Sequence, residues 1–356
     1  MSSLDLGVIG NCSIASLIDR SGRHVWHGLG RLDGDPVFNA LLGGSDPQTG
    51  FMDAVVEGAK ESRQRYVPNT AILETTIDGA GGSMRILDFA PRFRRFGRMF
   101  RPPMLIRRLE PVAGRPRVTL RLRPSFAYGA QKAQVTVGSN HIRYVEEEST
   151  IRVTTDAPIA MIEHETPFVL TRPVHMVFGQ DEPYPGDLAA TATSFAEQTK
   201  AYWLHWVRRL YISYDWQEAI IRAAITLKLS NFEETGGIIA AHTTSIPEAP
   251  GSGRNWDYRF CWLRDAYFVV KALNRVGATQ TMEDFIGFTL SLATNSDGPL
   301  KPVYSVVPNL PLDEWIAEDL KGYRGDGPVR IGNAAVEQSQ HDTYGSVILA
   351  ALPLFF

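Results

Sequence analysis

The stretch from 251 to 271, GSGRNWDYRFCWLRDAYFVVK, concentrates the side chains best suited to chemistry. Trp256, Tyr258, Phe260 and Trp262 alternate with Arg254, Asp257, Arg259, Arg264 and Asp265. Ring faces can cover the apolar C–H face of a sugar, while Arg and Asp offer fixed donors and acceptors to its hydroxyls. The same residue types also suit a core, with the Arg264–Asp265 pair as a salt bridge and the aromatics as filling. Burying those charges unpaired would be expensive. Residue types alone leave both readings standing.

Other titratable clusters are weaker. Glu248, Glu337 and Asp342 are carboxylates near the same region, and helix capping or a solvated surface explains Glu337 and Asp342 better than chemistry does. Glu163, His164 and Glu165 look metal-like, but a strand there would place His164 on the face opposite both glutamates. His24 and His27 form only a lone pair, so no metal site is expected. Residues 92–108 (RFRRFGRMFRPPMLIRR) are basic and aromatic. The net charge of −3 argues against a nucleic-acid or membrane patch, and a loop and edge with solvated or paired charges is expected.

The elements that would position these residues fall into two halves. Val118, Leu120 and Leu122 alternate with Arg117, Thr119 and Arg121, as in a half-buried strand. Short β-rich runs recur at 133–137, 141–145, 151–155 and 175–178, with turn formers at 79–82 and 138–140. Such spacing predicts an antiparallel sandwich. Residues 182–187 (EPYPGD) read as a turn or linker. Beyond it the period becomes helical. Phe195, Tyr202, Trp203, Trp206 and Leu210 open it. Asp215 with Glu218 reads as a capping box before Ile220, Ile221, Ala224 and Leu227. A third helix carries Phe268, Val269, Ala272 and Leu273 and stops at Gly277. A fourth carries Met282, Phe285, Ile286, Thr289, Leu290 and Ala293, and a fifth begins near Asn333 and carries Val347, Ile348 and Leu352. The expected division is residues 1–190 as sandwich and 191–356 as helical.

Cys12 and Cys261 are the only cysteines. They could pair only if the fold joined them, and so low a count fits a reducing compartment. The N-terminus has no basic segment followed by an apolar run, and no apolar stretch is long enough for a bilayer, so a cytoplasmic protein without membrane contact is expected. The apolar, uncapped ending at 348–356 reads as a domain interrupted midway. Oligomeric state is unreadable.

The run 254–265, RNWDYRFCWLRD, resembles the signature of the family-15 glycoside hydrolases, the glucoamylases and trehalases. Segments 223–229 (AAITLKL), 240–248 (AAHTTSIPE), 322–325 (GYRG), 328–334 (PVRIGNA) and 340–345 (QHDTYG) are similar to further family segments in the same order, as are 10–12 (GNC), 122–126 (LRPSF) and 128–129 (YG) in the first half. The resemblance implies a β + α chain, with an N-terminal antiparallel β-sandwich followed by an (α/α)6 barrel, here incomplete. It implies inverting cleavage of an α-glucosidic bond, by one carboxylic acid and one carboxylate base roughly 6.5–9.5 Å apart. Both are glutamates in later barrel loops of the family, and neither has a counterpart before Phe356. Transfer therefore reaches only the glucose subsite. Arg264 and Asp265 would hydrogen-bond ring hydroxyls, and Tyr258 and Trp262 would support the oxocarbenium-like centre. Tyr323 and Arg324 would border the leaving-group side. No cofactor is implied, and the partner would be a carbohydrate such as trehalose or a short α-glucan. The alternative is a non-catalytic carbohydrate-binding or scaffold protein of the same descent.

Overall fold

The computed structural model describes residues 3–147, 149–184, 186–295 and 298–355. Strand Arg117–Arg123 buries Val118, Leu120 and Leu122 and turns its other side chains outward, the period of two expected of a sheet with one covered face. It belongs to a seven-stranded antiparallel sheet, in the order Gly7–Gly10, Ala15–Ile18, His24–Gly28, Phe51–Val56, Arg117–Arg123, Phe168–Val169, with Pro36–Phe38 beside His24–Gly28. An eight-stranded antiparallel sheet runs Gln134–Val137, His141–Val145, Thr150–Thr155, Val174–Gln180, Met104–Gly114, Gly82–Phe89, Leu73–Gly79, Glu61–Tyr66. The two share one core, where Ile9, Phe38, Met52 and Leu120 of the first meet Ile77, Ile86, Leu109 and Val153 of the second. Burying each such side chain contributes about 1.5–3 kcal/mol. An exposed pair such as Arg20–Asp5 contributes at most about 1 kcal/mol, so packing holds the sheets together.

Strands Gly7–Gly10, Ala15–Ile18 and His24–Gly28 are buried along their whole length. Their second face, with Val8, Leu17, Val25 and Trp26, lies under the helical half. A strand covered on both sides shows no alternation, and periodicity misses it. His24 and His27 are core groups there. His24 contacts the Ser16 hydroxyl and Asp88, His27 contacts the Ala15 carbonyl, and burial lowers His27 to about 4.

Residues 92–108 depart from the expected edge. A hairpin, Phe93–Arg95 with Arg98–Phe100, precedes Met104–Gly114, which is an interior strand. Arg92 and Arg107 are buried and paired, Arg107 with Asp88 at 2.8 Å and Arg92 with Glu233 at 2.6 Å. The apolar residues between the arginines are needed in two cores at once, which draws the strand inward.

The described residues form six α-helices, in chain order α1 (Ile159–Glu163), α2 (Leu188–Val207), α3 (Gln217–Leu229), α4 (Leu263–Arg275), α5 (Gln280–Thr294) and α6 (Thr343–Ala351). Helix α1 replaces the strand expected around Glu163. His164 lies at its C-terminal cap, and Glu165 accepts two hydrogen bonds from Arg123 instead of facing a metal. Helix α2 is capped by Asp187, which accepts from the Ala190 amide, and buries Ala192, Phe195, Thr199, Trp203 and Val207 in one stripe. The capping box at Asp215 is not formed. Trp216, in the left-handed region at φ 63°, precedes α3, and no side chain caps the helix. The buried stripe of α3 is Ala224, Ile225, Lys228 and Leu229, rotated from the expected one. In α4 the buried residues are Leu263, Ala266, Val270 and Leu273, while Phe268 is 58% exposed. Gly277 follows α4 at φ 78°, as expected of the residue that stops it. Asn333 caps a short 3-10 turn, Ala334–Glu337, and the last helix begins only at Thr343.

Helices α4, α5 and α6 share a core of Leu263, Val270, Met282, Phe285, Leu292 and Ala350. The halves are joined by a buried charge cluster. Glu233 accepts from Arg92 and from Lys228 at 2.7 Å, and its amide donates to the Cys12 carbonyl. Burial alone would raise Glu233, but the two cations hold it down to about 2. Cys12 and Cys261 are buried and free. No helix among the described residues is long and apolar enough to cross a membrane.

Candidate functional site

The aromatic–charged segment is built by two short pairings. Cys261–Trp262 pairs antiparallel with Val303–Tyr304, and the chain passes straight from Trp262 into α4. Upstream, the Ala241 amide donates to the Tyr258 carbonyl, and the Ser245 amide to the Trp256 carbonyl, so residues 240–248 run beside 254–260.

The charges of this segment sort into two kinds. Asp257 and Arg259 are 0% and 1% exposed and paired at 2.7 Å. Arg259 also donates to the Gly34 carbonyl at 2.9 Å and the Tyr128 hydroxyl at 3.0 Å, both in the sandwich half. Asp257 further accepts from the Gly332 amide, and its carbonyl from Asn333. With every polar atom of the pair engaged in the interior, it is framework. Arg264 and Asp265, in the first turn of α4, have side chains 49% and 46% exposed and lie 3.6 Å apart. The core salt bridge of the segment is therefore Asp257–Arg259, and Arg264–Asp265 is left at the surface.

Beside that pair, Trp262 is buried with Phe260, Val303 and Leu312. Tyr258 is half-exposed and meets Trp262 edge to face, with centroids 5.4 Å apart at 61°. Partial burial, then Glu248 and Asp265, raise the Tyr258 phenol, so it stays protonated and can donate. Glu248 accepts from Arg254 at 2.6 Å and from the Trp256 indole at 3.1 Å, and the Arg254 bond holds it below the usual carboxylate range. Of the four residues singled out for sugar, Tyr258 and Trp262 form an aromatic pair, Arg264 and Asp265 follow in the first turn of α4, and the Asp265 charge acts on the Tyr258 phenol.

The other candidates are spread around the segment. Glu337 closes the 3-10 turn whose Ala335 and Val336 pack on the Trp262 cluster, and is itself exposed. Gly322–Tyr323 pairs with Gly43–Gly44 of the sandwich, and Arg324 stacks on the Tyr323 ring at 5.1 Å. The Tyr304 hydroxyl accepts from the Lys301 amide, and the Tyr344 hydroxyl from the Leu300 amide, fixing the loop next to the segment. Sequence reasoning passed over both tyrosines, although Tyr344 stands in the matched segment 340–345. It also left Asp342 as a cap or surface residue. Its carboxylate lies 3.3 Å from the Arg264 guanidinium and makes no cap bond.

A cavity of about 520 Å³, lined by Phe93, Phe100, Tyr184 and Phe195, opens between the sandwich and α2. Its lining is mainly apolar and includes none of the segment's residues. No group of three or more His, Cys, Asp or Glu able to hold a metal occurs among the described residues.

Comparison with known proteins finds similar sequences and a similar fold. The family described as glycosyl hydrolases family 15 matches residues 215–354. A trehalase of Thermoplasma volcanium is 29% identical over 97% of this chain and 56% of its own length. A trehalase of Mycolicibacterium smegmatis is 29% identical over 97% and 56%. One of Mycobacterium tuberculosis is 29% identical over 97% and 55%. This chain thus spans a little over half the length of these relatives. A crystal structure of a bacterial glucoamylase complexed with acarbose superposes with a TM-score of 0.57 at 12% identity, over 84% of this chain and 51% of that one. At that identity it speaks for the fold.

Proposed function

We propose that this chain is a member of glycosyl hydrolase family 15, whose model matches residues 215–354, and that its corner of Tyr258, Trp262, Arg264 and Asp265 binds the terminal glucosyl unit of an α-glucoside, trehalose or a short α-glucan, for inverting hydrolysis. The observation that carries this is the sorting of charges within one segment. Asp257 and Arg259 are consumed in the interior, while Arg264 and Asp265 stand exposed beside an aromatic wall. A pair kept only for stability gains little at the surface. In this reading residues 1–190 form the supporting sandwich, and 191–356 contribute the opening helices of an (α/α)6 barrel. The acid and base that inversion requires fall in the part of the relatives' length that this chain does not span.

One observation favours the second reading, a non-catalytic sugar-binding protein. Two carboxylates near the corner are already engaged, Glu248 by Arg254 and Trp256, and Asp342 by Arg264. Glucose release from trehalose, maltose and isomaltose, measured for this chain and for a longer version joined to the remaining length of a relative, decides between them. Release by the longer protein alone supports the hydrolase with the pair supplied elsewhere. Glucose binding with no release by either supports the second reading. Release by this chain refutes the placement of the acid and base outside it.

A further inference from the structure

We propose that Asp342 is a positioning residue for Arg264, holding its guanidinium in the orientation in which it meets a sugar. This rests on the sugar-binding reading of Arg264 and adds a group from a different helix to that site.

The need for such a group follows from where Arg264 stands. It is the second residue of α4, and its side chain is 49% exposed. An arginine carries about 2 kcal/mol of rotamer entropy, which a ligand must otherwise remove on binding. Asp265 cannot restrain it alone, because adjacent residues on a helix do not face each other. Their closest approach, Nη2 to Oδ2 at 3.6 Å, is longer than a hydrogen bond.

Asp342 supplies the second anchor. It precedes α6, which packs against α4 in the shared core. It occupies the position from which a carboxylate ordinarily caps a helix, yet accepts no bond from the α6 amides. Its Oδ2 instead accepts from Arg264 Nη1 at 3.3 Å. The guanidinium is thereby set between two carboxylates, one on each Nη. Nε–H, the second N–H of Nη1 and both of Nη2 are left for hydroxyls. The helix that carries Asp342 is fixed in turn by Tyr344, two residues on, whose hydroxyl accepts from the Leu300 amide at 3.0 Å.

The test uses the whole chain and three readouts: the NMR order parameter of the Arg264 side-chain Nε–H, identified by its loss in Arg264→Lys; glucose affinity by titration; and thermal stability. In Asp342→Asn the order parameter is expected to fall and glucose affinity to drop roughly fivefold to tenfold, the cost of immobilising one long side chain. Stability is expected to be unchanged, since the pair is half-exposed. Asp342→Glu, which keeps the charge, should recover part of both losses. An Arg264 equally ordered in wild type and Asp342→Asn overturns the proposal, as does unchanged glucose affinity in that variant. An Asp342→Asn protein that loses stability along with affinity, without recovery in Asp342→Glu, makes Asp342 structural and also overturns it. Absence of glucose binding by the wild type overturns the sugar-site reading, and the order parameter then decides the Asp342–Arg264 restraint by itself.

Discussion

Two aspartates eight residues apart, Asp257 and Asp265, should respond in opposite ways to the same change. Asp257→Asn removes the charge from a 0%-exposed group and leaves Arg259, 1% exposed, as a buried cation with the Asp33 and Gly34 carbonyls, the Tyr128 hydroxyl, neighbouring ring faces and a neutral amide as partners, but no carboxylate in contact. Breaking one side of a buried pair costs about 3–5 kcal/mol. With roughly 2.1 cal/mol/K of unfolding entropy per residue, a chain of 356 residues has about 0.75 kcal/mol/K, so Tm should fall by about 4–7 °C. Asp265→Asn loses one 3.6 Å contact between half-exposed groups. That is worth less than about 1 kcal/mol, or roughly 1 °C. Its effect should appear in sugar affinity instead, because a carboxylate accepting from ring hydroxyls loses a charge-assisted bond. Thermal unfolding by circular dichroism and glucose titration, run on both variants and the wild type, measure the two quantities. Equal losses of Tm in the two variants, or an Asp257→Asn protein as stable as the wild type, would refute the division of this segment into framework and site.

Further outcomes are expected elsewhere. Glu233 is held at about 2 when folded against an ordinary value of 4.5. It therefore contributes stability that is full above about pH 4.5 and is lost as pH falls toward 2, and acid unfolding of Glu233→Gln should be correspondingly less steep over that window. His27 and His242 are lowered by burial from 6.5 to about 4. Unfolding lets both take up a proton below 6.5, so stability should decline from pH 6.5 to 4, and His242→Gln should lessen that decline in equilibrium denaturation. A Cβ at Gly236, whose φ is +91°, would stand 2.0 Å from the Asp284 carbonyl oxygen. Gly236→Ala should thus lower stability by more than about 1 kcal/mol in a denaturant titration, strain and clash adding.

What the sequence determined by itself is whatever depends on period and on type. Alternation placed Arg117–Arg123, β-rich runs between turn formers placed His141–Val145 and Thr150–Thr155, and helical spacing placed α2 and α5. The aromatic–charged segment carried the resemblance to the family whose model matches residues 215–354. These signals are local, since a sheet with one wet face and a helix with one buried stripe each write their geometry into neighbouring residues. Only the tertiary structure decided the rest. Three opening strands show no alternation because the helical half covers their outer face. Trp216, and not Asp215, precedes α3, because a left-handed turn is set by how the chain must enter the helix. Nothing in the residue types separates Asp257 and Arg259 from Arg264 and Asp265. The first pair is buried because Gly34 and Tyr128, more than a hundred residues earlier, close over it, and the second stays exposed because it starts a helix facing outward. Asp342 acquires its role from an arginine 78 residues away. Burial and partnership are properties of what surrounds a residue, and the surroundings come from parts of the chain that its own neighbourhood does not encode.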